Sequence, residues 1–237
     1  DGDGVTDQWG VLNSVARYFI YSNGGEIVAY NESTGRYEYS LNDPRNVRAI
    51  QFWGELRSVY NVVGSGSYAE FAQGTAAFMF HQLLNGARVY EGGCTNLGYV
   101  PFPNGPDVSS DYITNSGTDI MMIAFPANIQ DPEKVVKVVS DFRCIWDETK
   151  PYYLSIKESV DVRMDENYVT GKFRDWCYNA TNTKPDNAGI FGKTLSNLLD
   201  KELFNKVQNQ ELSVTAALEA VRAQANDIVN SLQDVTE

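Results

Sequence analysis

Apolar and polar positions alternate in blocks that predict helices interleaved with short strands. Val11 to Asn23 carries apolar residues at helical recurrence (Leu12, Val15, Ala16, Phe19, Ile20) and stops at Asn23-Gly24-Gly25, which predicts a helix. Glu26 to Tyr30 and Arg36 to Tyr39 read as a hairpin around Asn31-Glu32-Ser33-Thr34-Gly35. Leu41-Asn42-Asp43-Pro44 opens a helix, with Asn42 or Asp43 as cap and Pro44 in the first turn. That helix runs through Val47, Ile50, Phe52, Trp53, Leu56 and Val59 toward Val62-Val63-Gly64. Ser67 to Gln82 then predicts a short helix (Tyr68, Phe71, Ala72) stopping at Gly74, and a buried strand from Ala76 to Phe80.

The second half is patterned more loosely. Leu97 to Pro103 reads as a strand closed by two prolines, and Ile120 to Phe125 as another. Asp131-Pro132-Glu133 starts a helix through Val135, Val138, Val139, Phe142 and Trp146. Leu154 to Cys177 mixes short helical pieces, and Asn187 to Phe204 is helical in pattern. From Ser213 the tail is amphipathic, with Ala216, Ala217, Leu218, Val221, Ala225, Ile228, Val229 and Leu232 on one broad face. Helices alternating with short strands predict an α/β fold.

In open α/β sheets ligands sit at the carboxyl ends of strands. The strand ending at Phe80 delivers His81, Gln82 and Asn85 to such an end, so a pocket is expected there. Phe78, Met79 and Phe80 also suit a core. The opening, DGDGVTDQWG, spaces Asp1, Asp3 and Asp7 as oxygen ligands of an EF-hand-like calcium loop, with the Val5 carbonyl between and Gln8 as a further oxygen. Gly10 stands where the loop's bidentate Glu would be, so the match is partial, and a solvated acidic turn is the alternative.

Composition narrows the chemistry. The chain of 237 residues has a net charge of -12 and no run of Lys or Arg, which argues against nucleic acid. No apolar run approaches the roughly 20 residues of a membrane helix, and residue 1 opens into an acidic loop rather than a signal peptide. Cys94, Cys144 and Cys177 are too few and scattered for a disulfide framework or metal cluster. The single histidine, His81, excludes a zinc site of several histidines, and no nucleophile motif accompanies it. Two carboxylates could support glycoside hydrolysis, and an interaction domain would show an exposed apolar patch. The 14 Tyr, 11 Phe and 4 Trp suit stacking on sugar rings as well as core packing.

Four stretches in order carry a resemblance: YAEFAQGTAAFMF, LGYVPFPNGPD, DIMMIAFPANIQDPEKVVKVVSDF and QELSVTAALEAVRAQANDIV. Together they resemble the second half of extracellular solute-binding proteins of ABC importers, the sugar-binding family that includes maltose-binding protein. The opening acidic loop is similar to a calcium loop that some polysaccharide-binding members carry. The resemblance covers nearly the whole chain and implies a type II periplasmic-binding-protein-like fold, mainly the C-terminal lobe, with a small mixed sheet flanked by helices.

Family members have a preceding N-terminal lobe, so the resemblance implies a lobe fragment. Residues 1–112 and 152–237 would form the C-terminal lobe, and 113–151 a crossover that packs on the other lobe. It implies a non-enzymatic, monomeric protein that captures an extracellular carbohydrate by two-lobe closure and delivers it to permease subunits. The full form would be a lipoprotein at a Gram-positive surface. Implied ligand contacts are Trp9, Asn13, Ser14, Phe80, His81, Gln82 and Phe191, with Ca2+ at Asp1, Asp3, Val5, Asp7 and Gln8 and no required cofactor. A peptide or other solute is the alternative ligand.

Overall fold

A computed structural model describes residues 8–81, 88–89, 92–94, 100, 102–109, 114–115, 130–143, 183–184 and 186–233. Its elements are mixed α/β. Strand β1, Trp9–Leu12, is followed by helix α1, Ala16–Ser22, and by the hairpin β2, Val28–Asn31, and β3, Arg36–Tyr39. Helix α2, Pro44–Ser58, precedes the short helix α3, Tyr68–Ala72, and strand β4, Ala76–Met79. Beyond these lie β5, Thr114–Asn115, helix α4, Pro132–Arg143, and β6, Thr183–Lys184.

The C-terminal part is one helical run. A 3-10 turn, Asn187–Phe191, leads into α5, Gly192–Leu198, a π turn, Leu199–Phe204, and α6, Asn205–Gln208. Helix α7, Val214–Gln233, closes the chain's described part. Leu195, Leu199 and Leu203 repeat every fourth residue and are fully buried. The π stretch, wider than an α turn, ends at buried Phe204, and α6 adds buried Val207.

Three two-stranded pairings are present among the described residues: β1 with β4 parallel, β2 with β3 antiparallel, and β5 with β6 parallel. Trp9 faces Ala76, and Leu12 faces Met79. The other edge of β1 bridges Val63, through Val11 N–H to the Val62 carbonyl and Gly64 N–H to the Val11 carbonyl, both 3.0 Å. Thus β1 is the middle of a small parallel ladder, while α1 and α2 pack on each other in the main core. The main core joins α1, α2 and the hairpin to the C-terminal helices around Ile20, Ile27, Leu41, Ile50 and the leucine stripe.

Several expectations need correction. The predicted helix over Val11 to Asn23 is instead β1 and the shorter α1. A parallel strand buried on both faces shows a continuous apolar run, which periodicity cannot separate from a helix, and Asn13 at φ 56° breaks the chain between the two. Helix α2 ends at Ser58, because Val63 is drawn into the ladder. The predicted buried strand Ala76 to Phe80 is an edge strand ending at Met79, with Phe78 59% exposed. In α7, Ala216 and Leu232 lie outside the buried face, which is set by Ala217, Leu218, Val221, Ala225 and Val229.

Other expectations match. The hairpin, the Asp43 cap with Pro44 behind it, and the Gly74 stop at φ 81° are where the sequence puts them. Ser213 Oγ accepts the Ala216 N–H at 3.3 Å at the start of α7. The predicted strand over Ile120 to Phe125, the helical pieces from Leu154 to Cys177, and Asn85 lie outside the described residues. So does Trp146. The predicted strand Leu97 to Pro103 is described only at Val100 and beyond Pro101, where no strand forms.

Candidate ligand-binding site

The three parallel segments β1, Val62–Val63 and β4 run the same way, so their carboxyl ends share one side of the ladder. Asn13-Ser14, Gly64-Ser65-Gly66 and Phe80-His81 emerge there. Asn13 occupies the left-handed region, which Asn tolerates better than most residues. Its amide Nδ2 donates to the Phe80 carbonyl and ties two of the three ends together. Its Oδ1 faces no hydrogen-bond donor among the described residues.

Helix α3 leaves the same side. Ser67 and Glu70 form a capping box, with Ser67 N–H donating to Glu70 Oε2 at 2.7 Å and Ala69 N–H to Ser67 Oγ at 3.3 Å. After α3 the chain turns at Gly74 and returns as β4, which puts Tyr68 at the end where His81 lies. The Arg88 guanidinium carbon sits 5.2 Å from the centroid of the Tyr68 ring, and Arg88 Nη1 lies 3.5 Å from the Tyr68 hydroxyl oxygen. Partial desolvation of the His81 ring, with the Arg88 charge second, holds its pKa below the ordinary histidine value although the residue as a whole is exposed.

Aromatic rings back this rim. Phe80 meets Phe102 at 4.6 Å and Phe19 edge-on at 5.7 Å, and Phe19 meets Phe102 at 5.1 Å. Phe80 and Phe102 are half-buried, while Phe19 is in the core. Behind Phe19 stand Phe52 at 6.0 Å and then Tyr60, both largely exposed.

Of the residues expected at the ligand, the structure gathers Asn13, Ser14, Phe80 and His81. The Ser14 carbonyl accepts from Trp53 Nε1 at 3.2 Å, and its buried hydroxyl has no hydrogen-bond partner. Trp9 is at the other end of β1, four residues or about 13 Å from Asn13. Its indole nevertheless reaches the Gly64 backbone on the carboxyl-end side, where a Cβ would come within 2.3 Å of it. Phe191, expected to meet ligand, is only 2% exposed and packs its ring 5.7 Å from that of Tyr37, so it is a core residue. Gln82, Asp1, Asp3, Val5 and Asp7 lie outside the described residues, and Gln8 is exposed beside Trp9.

Sequence reading missed Tyr68 as a rim residue, and also Phe102 and Arg88. The carboxyl-end rule applied to the helix before β4 would have found Tyr68, but nothing local marks Arg88. Among the described residues no group of three or more His, Cys, Asp or Glu is gathered to hold a metal, and no helix is long and apolar enough to cross a membrane. No protein-family model matches the chain.

Proposed function

We propose that the chain is the carbohydrate-binding C-terminal lobe of an ABC-importer solute-binding protein with a type II periplasmic-binding-protein-like fold. The observation that carries this reading is the meeting of Asn13, Phe80 and His81 at the carboxyl ends of parallel strands, backed by half-buried rings. Such a rim offers an apolar face to a sugar ring and hydrogen-bonding groups to its hydroxyls. Asn13 Oδ1 accepts from a sugar hydroxyl, and a neutral His81 ring both donates and accepts.

On this reading the ligand bridges two lobes, and the closed form is what the permease subunits recognise. In its full-length form the protein works as a non-enzymatic monomer at the outer face of a Gram-positive membrane, held by a lipid anchor. Calcium at the acidic loop of residues 1–8 would stiffen the entry to β1.

A thermal-shift panel of neutral and charged mono- and oligosaccharides against short peptides tests this, run with and without calcium. A sugar at about 100 times its dissociation constant adds about 2.7 kcal/mol of stability. A shift with one sugar class is the expected result. Silence across all sugars overturns the reading, and a response to peptides alone replaces it with peptide capture.

A further inference from the structure

Acidic residues outnumber Lys and Arg by 31 to 19 in this chain, so an arginine without a carboxylate partner stands out. Arg17 reaches two carboxylates at 3.3 and 3.5 Å, and Arg45, Arg48 and Arg222 reach one each at 3.0, 2.7 and 3.7 Å. Among the described residues neither Arg57, at the end of α2, nor Arg88 has a carboxylate within ion-pair distance, and of the two only Arg88 is at the rim. It lies instead against the Tyr68 ring, at the carboxyl-end rim. The acid on α3, Glu70, has Oε2 engaged by the N–H and hydroxyl of Ser67 in the capping box.

We propose that Arg88 makes this rim selective for a carbohydrate bearing ring carboxylates, a uronate-containing oligosaccharide. This rests on the carbohydrate reading above and names the sugar class. Stacking on Tyr68 restricts the guanidinium and leaves in-plane N–H donors for a carboxylate, whose two oxygens match the guanidinium fork. The Tyr68 hydroxyl beside Nη1 adds a donor to the same anion. Asn13 Oδ1 and the imidazole of His81 serve the uncharged hydroxyls, so the charged and neutral ends of one sugar ring find different partners along the rim. A neutral sugar would leave the guanidinium without an anion and gain nothing from it.

The test follows amide resonances of the full chain by NMR during titration with an oligogalacturonate, its methyl ester and a neutral glucose oligosaccharide. The same titrations are repeated with Arg88→Gln. Arg88 is exposed, so the variant keeps its fold, which its unperturbed amide spectrum verifies. The acid form binds wild type about tenfold or more tighter than its ester, and Arg88→Gln brings the acid down to the ester's level while leaving the ester unchanged. Equal binding of acid and ester, or an acid affinity untouched by Arg88→Gln, overturns the assignment. Binding of the neutral oligosaccharide alone overturns it too, yet leaves the carbohydrate reading standing. Silence with all three overturns the uronate assignment, and the carbohydrate reading falls with it only if the wider sugar panel is silent too.

Discussion

Tyr21 donates its hydroxyl hydrogen to Oδ1 of Asp186 across 165 positions of sequence, inside the core. The contact fastens α1 to the start of the C-terminal helical run. The same carboxylate oxygen accepts the Ala188 N–H at 3.0 Å, capping the 3-10 turn, and Oδ2 faces Arg17 at 3.5 Å. Arg17 also reaches Asp200 at 3.3 Å, farther along the same run. A buried carboxylate is tolerated because donors surround it.

Tyr21→Phe removes one of those donors and keeps the ring. Asp186 retains Ala188 and Arg17, so the expected loss is about 1–3 kcal/mol, the cost of leaving a buried acceptor short of a partner. Urea unfolding with an unchanged m-value would measure it. A loss near zero would show that Arg17 and Ala188 alone satisfy the carboxylate.

The same tyrosine sets an alkaline limit. Burial first, and then the Asp186 charge, hold the Tyr21 hydroxyl far above its ordinary pKa of 10.0, and burial raises Tyr39 as well. The unfolded chain therefore loses these protons more readily than the folded one. Stability from both groups is whole below about pH 10 and is lost as pH rises beyond it. The last part of the tyrosinate absorbance, from the buried rings, should appear together with the loss of circular dichroism. Absorbance rising fully at pH 10 with the fold intact would contradict the burial of these rings.

Asn23 and Arg48 both hold Asp107, and their weights differ. Asn23 is buried, and its amide donates to the Arg45 carbonyl at 2.9 Å and to Asp107 Oδ2 at 2.7 Å while accepting the Asp107 N–H at 3.1 Å. Arg48 reaches Asp107 from solvent, at 2.7 Å. Asn23→Ala should cost about 2 kcal/mol, since part-buried backbone groups of Arg45 and Asp107 lose their partner. Arg48→Ala should change little, and less still in high salt. Paired denaturation curves of the two variants check the ranking; a larger loss for Arg48→Ala would reverse it.

What the sequence makes legible is local chemistry. Asp43 before Pro44 announces the start of α2, and the Asn31 to Gly35 turn announces the hairpin, because cap and turn residues act within a few positions. The strand nature of Val11 and Leu12 depends on partners more than 50 positions away, Val63 and Met79, and leaves no local trace. At the rim, Asn13, Phe80 and His81 stand out through the strand-end rule. Arg88 acquires meaning only from Tyr68, 20 positions earlier, whose ring it covers. Phe191 misleads for the converse reason, since an aromatic at a helix start looks the same whether Tyr37 buries it or a ligand does.

Gly25 is held by Asn46. A Cβ there would fall 1.6 Å from Asn46 Oδ1, while Asn46 Nδ2 donates to the Glu26 and Ser40 carbonyls at 2.9 and 2.7 Å. Asn46 is buried and cannot yield without breaking both bonds. Gly25→Ala should lose more than about 2 kcal/mol, although alanine usually stabilises an exposed glycine position. A thermal melt that rises instead would show that the α1–β2 corner can open around the methyl group.

His81, the chain's one histidine, gives a single imidazole signal in proton NMR. Partial desolvation of the ring is the larger cause of its lowered pKa and the Arg88 charge the second, so the signal should titrate below the ordinary value of 6.5. Removing the charge with Arg88→Gln should move the midpoint upward but leave it under 6.5, because desolvation remains. Since the folded ring sheds its proton more readily than the unfolded one, acid favours unfolding: the stability tied to neutral His81 is whole above about pH 6.5 and declines as pH falls through that value. A wild-type midpoint at or above 6.5 would place the ring in open water. A midpoint indifferent to Arg88→Gln would separate the two side chains, and with them the charged and neutral ends of the rim.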